Sequence, residues 1–132
     1  MILVVVEHRD GVLNRASWEA IAAAQQVAGT ESLTIALLGS AETAIAEIAA
    51  AGVGDVIVVG DPALEIYTAD GYLAALAHVI AAVKPSVTML AHTYQARDFA
   101  PALAARLNWP LVTDVTGIAG GTAGTTFVRQ MF

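Results

Sequence analysis

The chain has no cysteine, and its six basic residues are outnumbered by twelve acidic ones. Without cysteine there are no disulfides and no thiol chemistry, which fits a cytoplasmic protein. The formal net charge of −6, with no Lys/Arg cluster to offset it, argues against a nucleic-acid surface, because phosphate backbones are held by grouped cations. Long apolar runs are missing too. The longest helical one, Gly71 to Val83, is too short to cross a bilayer, so no membrane insertion is expected. Met1 to Val6 is apolar, but no basic region precedes it and Glu7 cuts it short. It reads as a strand and not as a signal peptide.

Several familiar site motifs are also lacking. No Gly-x-Gly-x-x-Gly stands between a strand and a helix, and there is no Gly-x-x-x-x-Gly-Lys-Ser/Thr and no Gly-x-Ser-x-Gly. These absences count against the usual dinucleotide and triphosphate loops and against a serine-hydrolase elbow. The three histidines, His8, His78 and His92, are far apart. None has metal-ligand spacing with another histidine or an acid, so no metal site is expected.

What remains is a chain rich in core material. Apolar residues make up 57% of the 132 positions, with alanine abundant. That length fits one domain, which buries roughly two-thirds of its unfolded surface. Apolar strand-like runs alternate with amphipathic stretches. Strands are expected at Ile2–Val6, Leu33–Leu38, Val56–Val59 and Val87–Ala91. The first helix is expected over Ser17–Ala28 with Ser17 as its cap. A second carries the stripe Ala41, Ala44, Ile45, Ile48, Ala49 and ends at Gly52 and Gly54. A third, marked by Tyr72, Leu76, Val79, Ile80 and Val83, stops at Lys84-Pro85. Pro110–Thr113 is expected as a short fifth strand, Ala119–Thr125 as a turn, and Thr126–Phe132 as a sixth strand. Near-continuous apolar strands covered on both faces point to a mainly parallel sheet in a three-layer α/β sandwich, order 3-2-1-4-5. The last strand has no turn after it and no partner left in this reading. That suggests a domain incomplete at its C-terminal end, a terminal edge strand being the alternative.

The polar loop between the fourth strand and fourth helix is the main candidate site. Ala96, Phe99, Ala100, Leu103 and Leu107 recur at helical spacing, with Pro101 inside the pattern. A proline is tolerated in a first turn, where its N–H is not needed, so the helix is expected to begin near Arg97 or Asp98, with Asp98 as cap. His92 to Ala96 then joins a strand's carboxyl end to a helix's amino end, a place where unpaired N–H groups favour anions. Arg97 is poorly placed for a helix dipole. It either reaches a carboxylate or phosphate on another molecule, or pairs with Asp98 or another local acid, or points to water. In the expected order the first and fourth strands are neighbours. Glu7 and His8 would then meet His92, Thr93 and Tyr94 at the topological switch point. No nucleophile–base–orienter set is evident there. Solvated strand ends or interface contacts are the plainer reading.

Longer stretches carry a resemblance. The opening ILVVVEHRDGVLNRASWEAIAAAQ, the run VGDVIVVG over Val53–Gly60, and above all Gln95-Ala-Arg97-Asp98-Phe-Ala-Pro101-Ala-Leu-Ala-Ala-Arg106-Leu107 followed by Leu111-Val-Thr-Asp114-Val-Thr-Gly117-Ile118 resemble the alpha subunits of electron-transfer flavoproteins. Phe127-Val-Arg129-Gln-Met-Phe is similar to that family's next strand. The resemblance implies an adenine-nucleotide alpha-hydrolase-like fold and a heterodimer with a beta subunit. It also implies electron carriage between dehydrogenases and an acceptor. FAD is held in the intact family members by a domain that has no counterpart here, so this chain alone is expected to bind none. AMP belongs to the beta subunit. The resulting expectation is a scaffold and subunit-interface domain, not an enzyme, which self-associates through the edge near Thr126–Phe132 when isolated. Two alternatives stand beside it. One is a freestanding adenine-nucleotide-binding domain resembling universal stress proteins, although their Gly-rich phosphate loop is missing. The other is a small α/β enzyme using His8 or His92.

Overall fold

The computed structural model describes residues 1–121 and 124–129. In chain order the elements are β1 (Ile2–Val5), β2 (His8–Arg9), β3 (Val12–Leu13), α1 (Arg15–Ala28), β4 (Leu33–Leu38), α2 (Glu42–Ala51), β5 (Asp55–Val59), a 3-10 turn (Pro62–Leu64), α3 (Ala69–Val83), β6 (Val87–Leu90), α4 (Tyr94–Leu107), β7 (Val115–Gly121) and β8 (Gly124–Arg129). The main strands and α2 and α3 fall where the apolar periodicity puts them, within a few residues.

The central sheet has four strands in the order β5-β4-β1-β6, all parallel. Counting only main strands, this is 3-2-1-4. Ile2 stands between Leu33 and Val87, and Val5 between Ala36 and Leu90. Every residue of β1 and β4 is buried, which is why their sequences are continuous apolar runs. Successive side chains serve opposite faces. Val4, Ile35 and Leu37 pack with Ile21 and Ala24 of α1 and with Ala44 and Ile48 of α2. Leu3, Val5, Ala36 and Leu38 pack with Leu76 and Ile80 of α3 and with Phe99 and Leu103 of α4. Two helices therefore cover each face, giving three layers. A fully buried large aliphatic such as Ile48 or Leu76 contributes about 1.5–3 kcal/mol.

Local chemistry sets the element boundaries. Thr68 caps α3 by accepting the Gly71 N–H, and Lys84 closes it in the left-handed region just before Pro85. Gly52 closes α2 the same way, at φ 64°. Gly54 then brings β5 against β4 so closely that a Cβ there would strike the Leu33 carbonyl oxygen.

The C-terminal third departs from the sequence expectation. Pro110–Thr113 is not a strand; these residues follow α4 as irregular chain with Leu111 and Val112 exposed. Pro110 has no N–H to give a ladder, and the outer edge of β6 carries no neighbour among the described residues. The supposed turn Ala119–Thr125 is largely strand. β7 and β8 form an antiparallel ribbon in which Ala119 faces Thr126 and Gly121 faces Gly124. Glycine and threonine there read as breakers, yet an exposed ribbon is held by backbone hydrogen bonds that need no side chain. The final strand thus begins at Gly124 and has a partner. Residues 122, 123 and 130–132 of those two expected segments lie outside the described ones.

Candidate functional site

The helix after β1 goes to one face of the sheet and the helix after β6 to the other. The neighbouring ends of β1 and β6 are therefore a topological switch point, where open α/β sheets form a crevice. Glu7 and Thr93 meet there. The Thr93 hydroxyl donates to Glu7 Oε1, and Asn14 Nδ2 donates to Glu7 Oε2 at 2.9 Å.

Two helix starts differ from expectation, and both differences matter here. Thr93, not Asp98, caps α4: its Oγ1 accepts the Ala96 N–H at 3.1 Å, and the helix begins at Tyr94. Pro101 accordingly lies in the helix interior. It is on the exposed side, as is Arg97 one turn earlier, so the carbonyl that loses its partner faces water. Asp98 instead accepts the Tyr67 hydroxyl at 2.7 Å. Asn14, not Ser17, caps α1 by accepting the Ser17 N–H at 2.8 Å. Ser17 is completely buried; its hydroxyl accepts the Glu7 N–H at 2.7 Å and donates to the Glu7 carbonyl at 3.2 Å.

The other candidates separate from this network. His8 turns away to donate Nε2–H to the Leu38 carbonyl at 2.9 Å, and its buried Nδ1 has no partner among the described residues. His92 is exposed, and Tyr94 is 86% exposed. Arg97 stacks on the Tyr94 ring, 4.7 Å from its centroid, a cation–π contact. It forms no ion pair among the described residues. No cluster of His, Cys, Asp and Glu suited to a metal is found among them.

Beneath Glu7 the floor is aromatic. Tyr67, Tyr72 and Phe99 pack with centroids 4.8, 5.9 and 6.4 Å apart. Burial, then the Asp98 carboxylate, pushes the Tyr67 hydroxyl well above the usual phenol range; burial and the Glu7 charge raise Tyr72 as well. Tyr67 stays a protonated donor to Asp98 at neutral pH. The space enclosed by Val5, Glu7, Tyr72, Leu90, Gln95 and Phe99 is about 10 Å³, far below the roughly 300 Å³ of a small-molecule pocket. A shallow depression of about 440 Å³ lies at the opposite end of the sheet, lined by Gly29, Glu31, Gly52 and Asp55 among others.

Of the candidates named from the sequence, the structure brings Glu7 and Thr93 together, and it adds Asn14, the anchoring Ser17 and Tyr67. Asn14 carried a signal, since it stands at capping distance before the apolar stripe of α1. Tyr67 carried none, because its partner is 31 positions away.

Comparison with known proteins agrees with the resemblance to alpha subunits. Electron transfer flavoprotein subunit alpha of Bacillus subtilis (strain 168) is 33% identical over 132 residues, 99% of this chain and 41% of that protein. Protein FixB of Clostridium saccharobutylicum is 34% identical over 119 residues, 89% of this chain and 36% of its own length. Electron transfer flavoprotein subunit alpha of Syntrophomonas wolfei subsp. wolfei is 30% identical over 129 residues, 98% of this chain and 40% of its own. The chain thus spans about two fifths of the length of these relatives. The family description "Electron transfer flavoprotein domain" matches residues 2–132, and the chain belongs to that family.

Proposed function

We propose that residues 1–132 act as one α/β domain, the N-terminal scaffold and subunit-interface part of an alpha subunit. The complete protein would be a FAD-dependent carrier passing electrons from dehydrogenases to an acceptor. In this reading the beta subunit is the direct partner and AMP is bound there. FAD is held outside this chain, and the chain itself is not an enzyme. The setting is cytoplasmic; no helix among the described residues is long and apolar enough to cross a membrane.

One observation carries the reading. The polar side chains at the switch point are engaged with one another, while Trp109, Leu111, Val112 and Val115 lie exposed along one stretch after α4. That arrangement suits a protein partner better than a substrate. A nucleotide phosphate entering the crevice would meet the Glu7 carboxylate. His92, Thr93, Tyr94 and Arg97, with Glu7 and His8, then serve as a structural or interface loop.

The same reading assigns the sheet to the adenine-nucleotide alpha-hydrolase-like class with order 3-2-1-4-5. α4 shares its face with α3, so a right-handed crossover out of β6 leads outward past β6.

Co-expression with the beta subunit, followed by size-exclusion chromatography with light scattering, tests the assignment. The expected product is a one-to-one heterodimer, with no flavin absorption from this chain alone. A chain that ignores the beta subunit, or that retains stoichiometric FAD by itself, would overturn it.

A further inference from the structure

The Glu7 carboxylate touches the capping side chains of two helices that lie on opposite faces of the sheet. Asn14 gives its oxygen to α1, accepting the Ser17 N–H, and its Nδ2 to Glu7. Thr93 gives its oxygen to α4, accepting the Ala96 N–H, and its hydroxyl proton to Glu7. Each cap therefore spends its acceptor on its own helix and its donor on the same carboxylate. An ionised carboxylate suits this place because both of its oxygens only accept, whereas an amide would turn a donor towards one of the two caps. The Glu7 backbone is fixed independently by the buried Ser17 hydroxyl, so the carboxylate has a firm base.

We infer that Glu7 is a positioning residue that latches the starts of α1 and α4 together, so that the two walls of the switch-point crevice hold or loosen as a unit. The inference concerns this chain alone and stands whatever the partner is. A cap acting only for its own helix would have no influence on the other.

The test is Asn14→Asp. Aspartate caps a helix as well as asparagine, so the Ser17 N–H keeps its acceptor. The donor to Glu7, however, is replaced by a second negative charge. Amide exchange measured by NMR at Ala96, on the far helix, should accelerate by about threefold or more, as for coupled sites in one network. Combining Glu7→Gln with Asn14→Asp reverses donor and acceptor across the same contact and leaves an acceptor for Thr93. It should return Ala96 exchange to within about twofold of the natural chain. Unchanged Ala96 exchange in Asn14→Asp, or no recovery in the double variant, overturns the latch. If Asn14→Asp does not fold, Thr93→Val read at the Ser17 amide asks the same question from the other side. Faster Ser17 exchange supports the latch, and unchanged exchange refutes it.

Discussion

Ser17→Ala removes a single oxygen from a position with no solvent exposure. In the natural chain that oxygen accepts the Glu7 N–H at 2.7 Å and donates to the Glu7 carbonyl. The carbonyl would keep a second partner, the Asn14 N–H at 3.1 Å. The Glu7 N–H would lose its acceptor at a half-buried strand end. One orphaned backbone donor costs about 1–3 kcal/mol. Alanine gains little to offset this, since it adds no apolar volume. A loss of about 2 kcal/mol is expected, lowering the urea midpoint by roughly 1 M for a slope of ~2 kcal/mol/M. Ser40→Ala is the matched control. Its hydroxyl also makes a hydrogen bond, to Glu65, but it is exposed and its loss should cost less than ~0.5 kcal/mol. Equal effects of the two changes would refute the reasoning. Water or a small shift would then satisfy Glu7, and the seat of α1 on the strand end would not depend on the buried hydroxyl.

Gly54→Ala should be costlier than an ordinary surface change, by more than about 2 kcal/mol, because the new Cβ meets the Leu33 carbonyl where β5 joins β4. Its melting temperature should fall by roughly 8 °C, and an unchanged melt would contradict the close approach. Calorimetric titration with AMP, ADP and ATP should show nothing tighter than the millimolar range, ~4 kcal/mol. Micromolar binding abolished by Arg97→Ala would favour the freestanding nucleotide-binding reading. Light scattering of the isolated chain should reveal self-association through the β7–β8 ribbon. Val128→Lys, at a half-exposed apolar position of β8, should shift it towards monomer with its helical circular dichroism intact, and a natural chain that stays monomeric at high concentration would contradict this.

Composition and periodicity by themselves determined the layered α/β architecture, and the expected strand order set the first main strand beside the fourth. The reason is burial. β1 and β4 are covered on both faces, so their whole runs are apolar, while helices written at a period of 3.6 residues show which stripe faces inward. That adjacency in turn is enough to bring Glu7 beside Thr93. Handedness and burial reach no further than this. Where a helix starts is a contest between neighbouring capping residues, and Pro101 tipped the sequence reading towards Asp98 although Thr93 does the capping. The interior proline is tolerated because Phe99 and Leu103 anchor the helix and the freed carbonyl faces water. The same tertiary dependence governs the C-terminal third. Gly120, Gly121 and Gly124 read as turn punctuation, yet a strand forms wherever a backbone partner lies alongside, and Leu111 and Val112 form none because no partner among the described residues reaches them. Partners for Tyr67 and Ser17 lie 31 and 10 positions away. Only the folded chain decides such pairings, because a hydrogen bond is satisfied by proximity in space and leaves no periodic trace in the sequence.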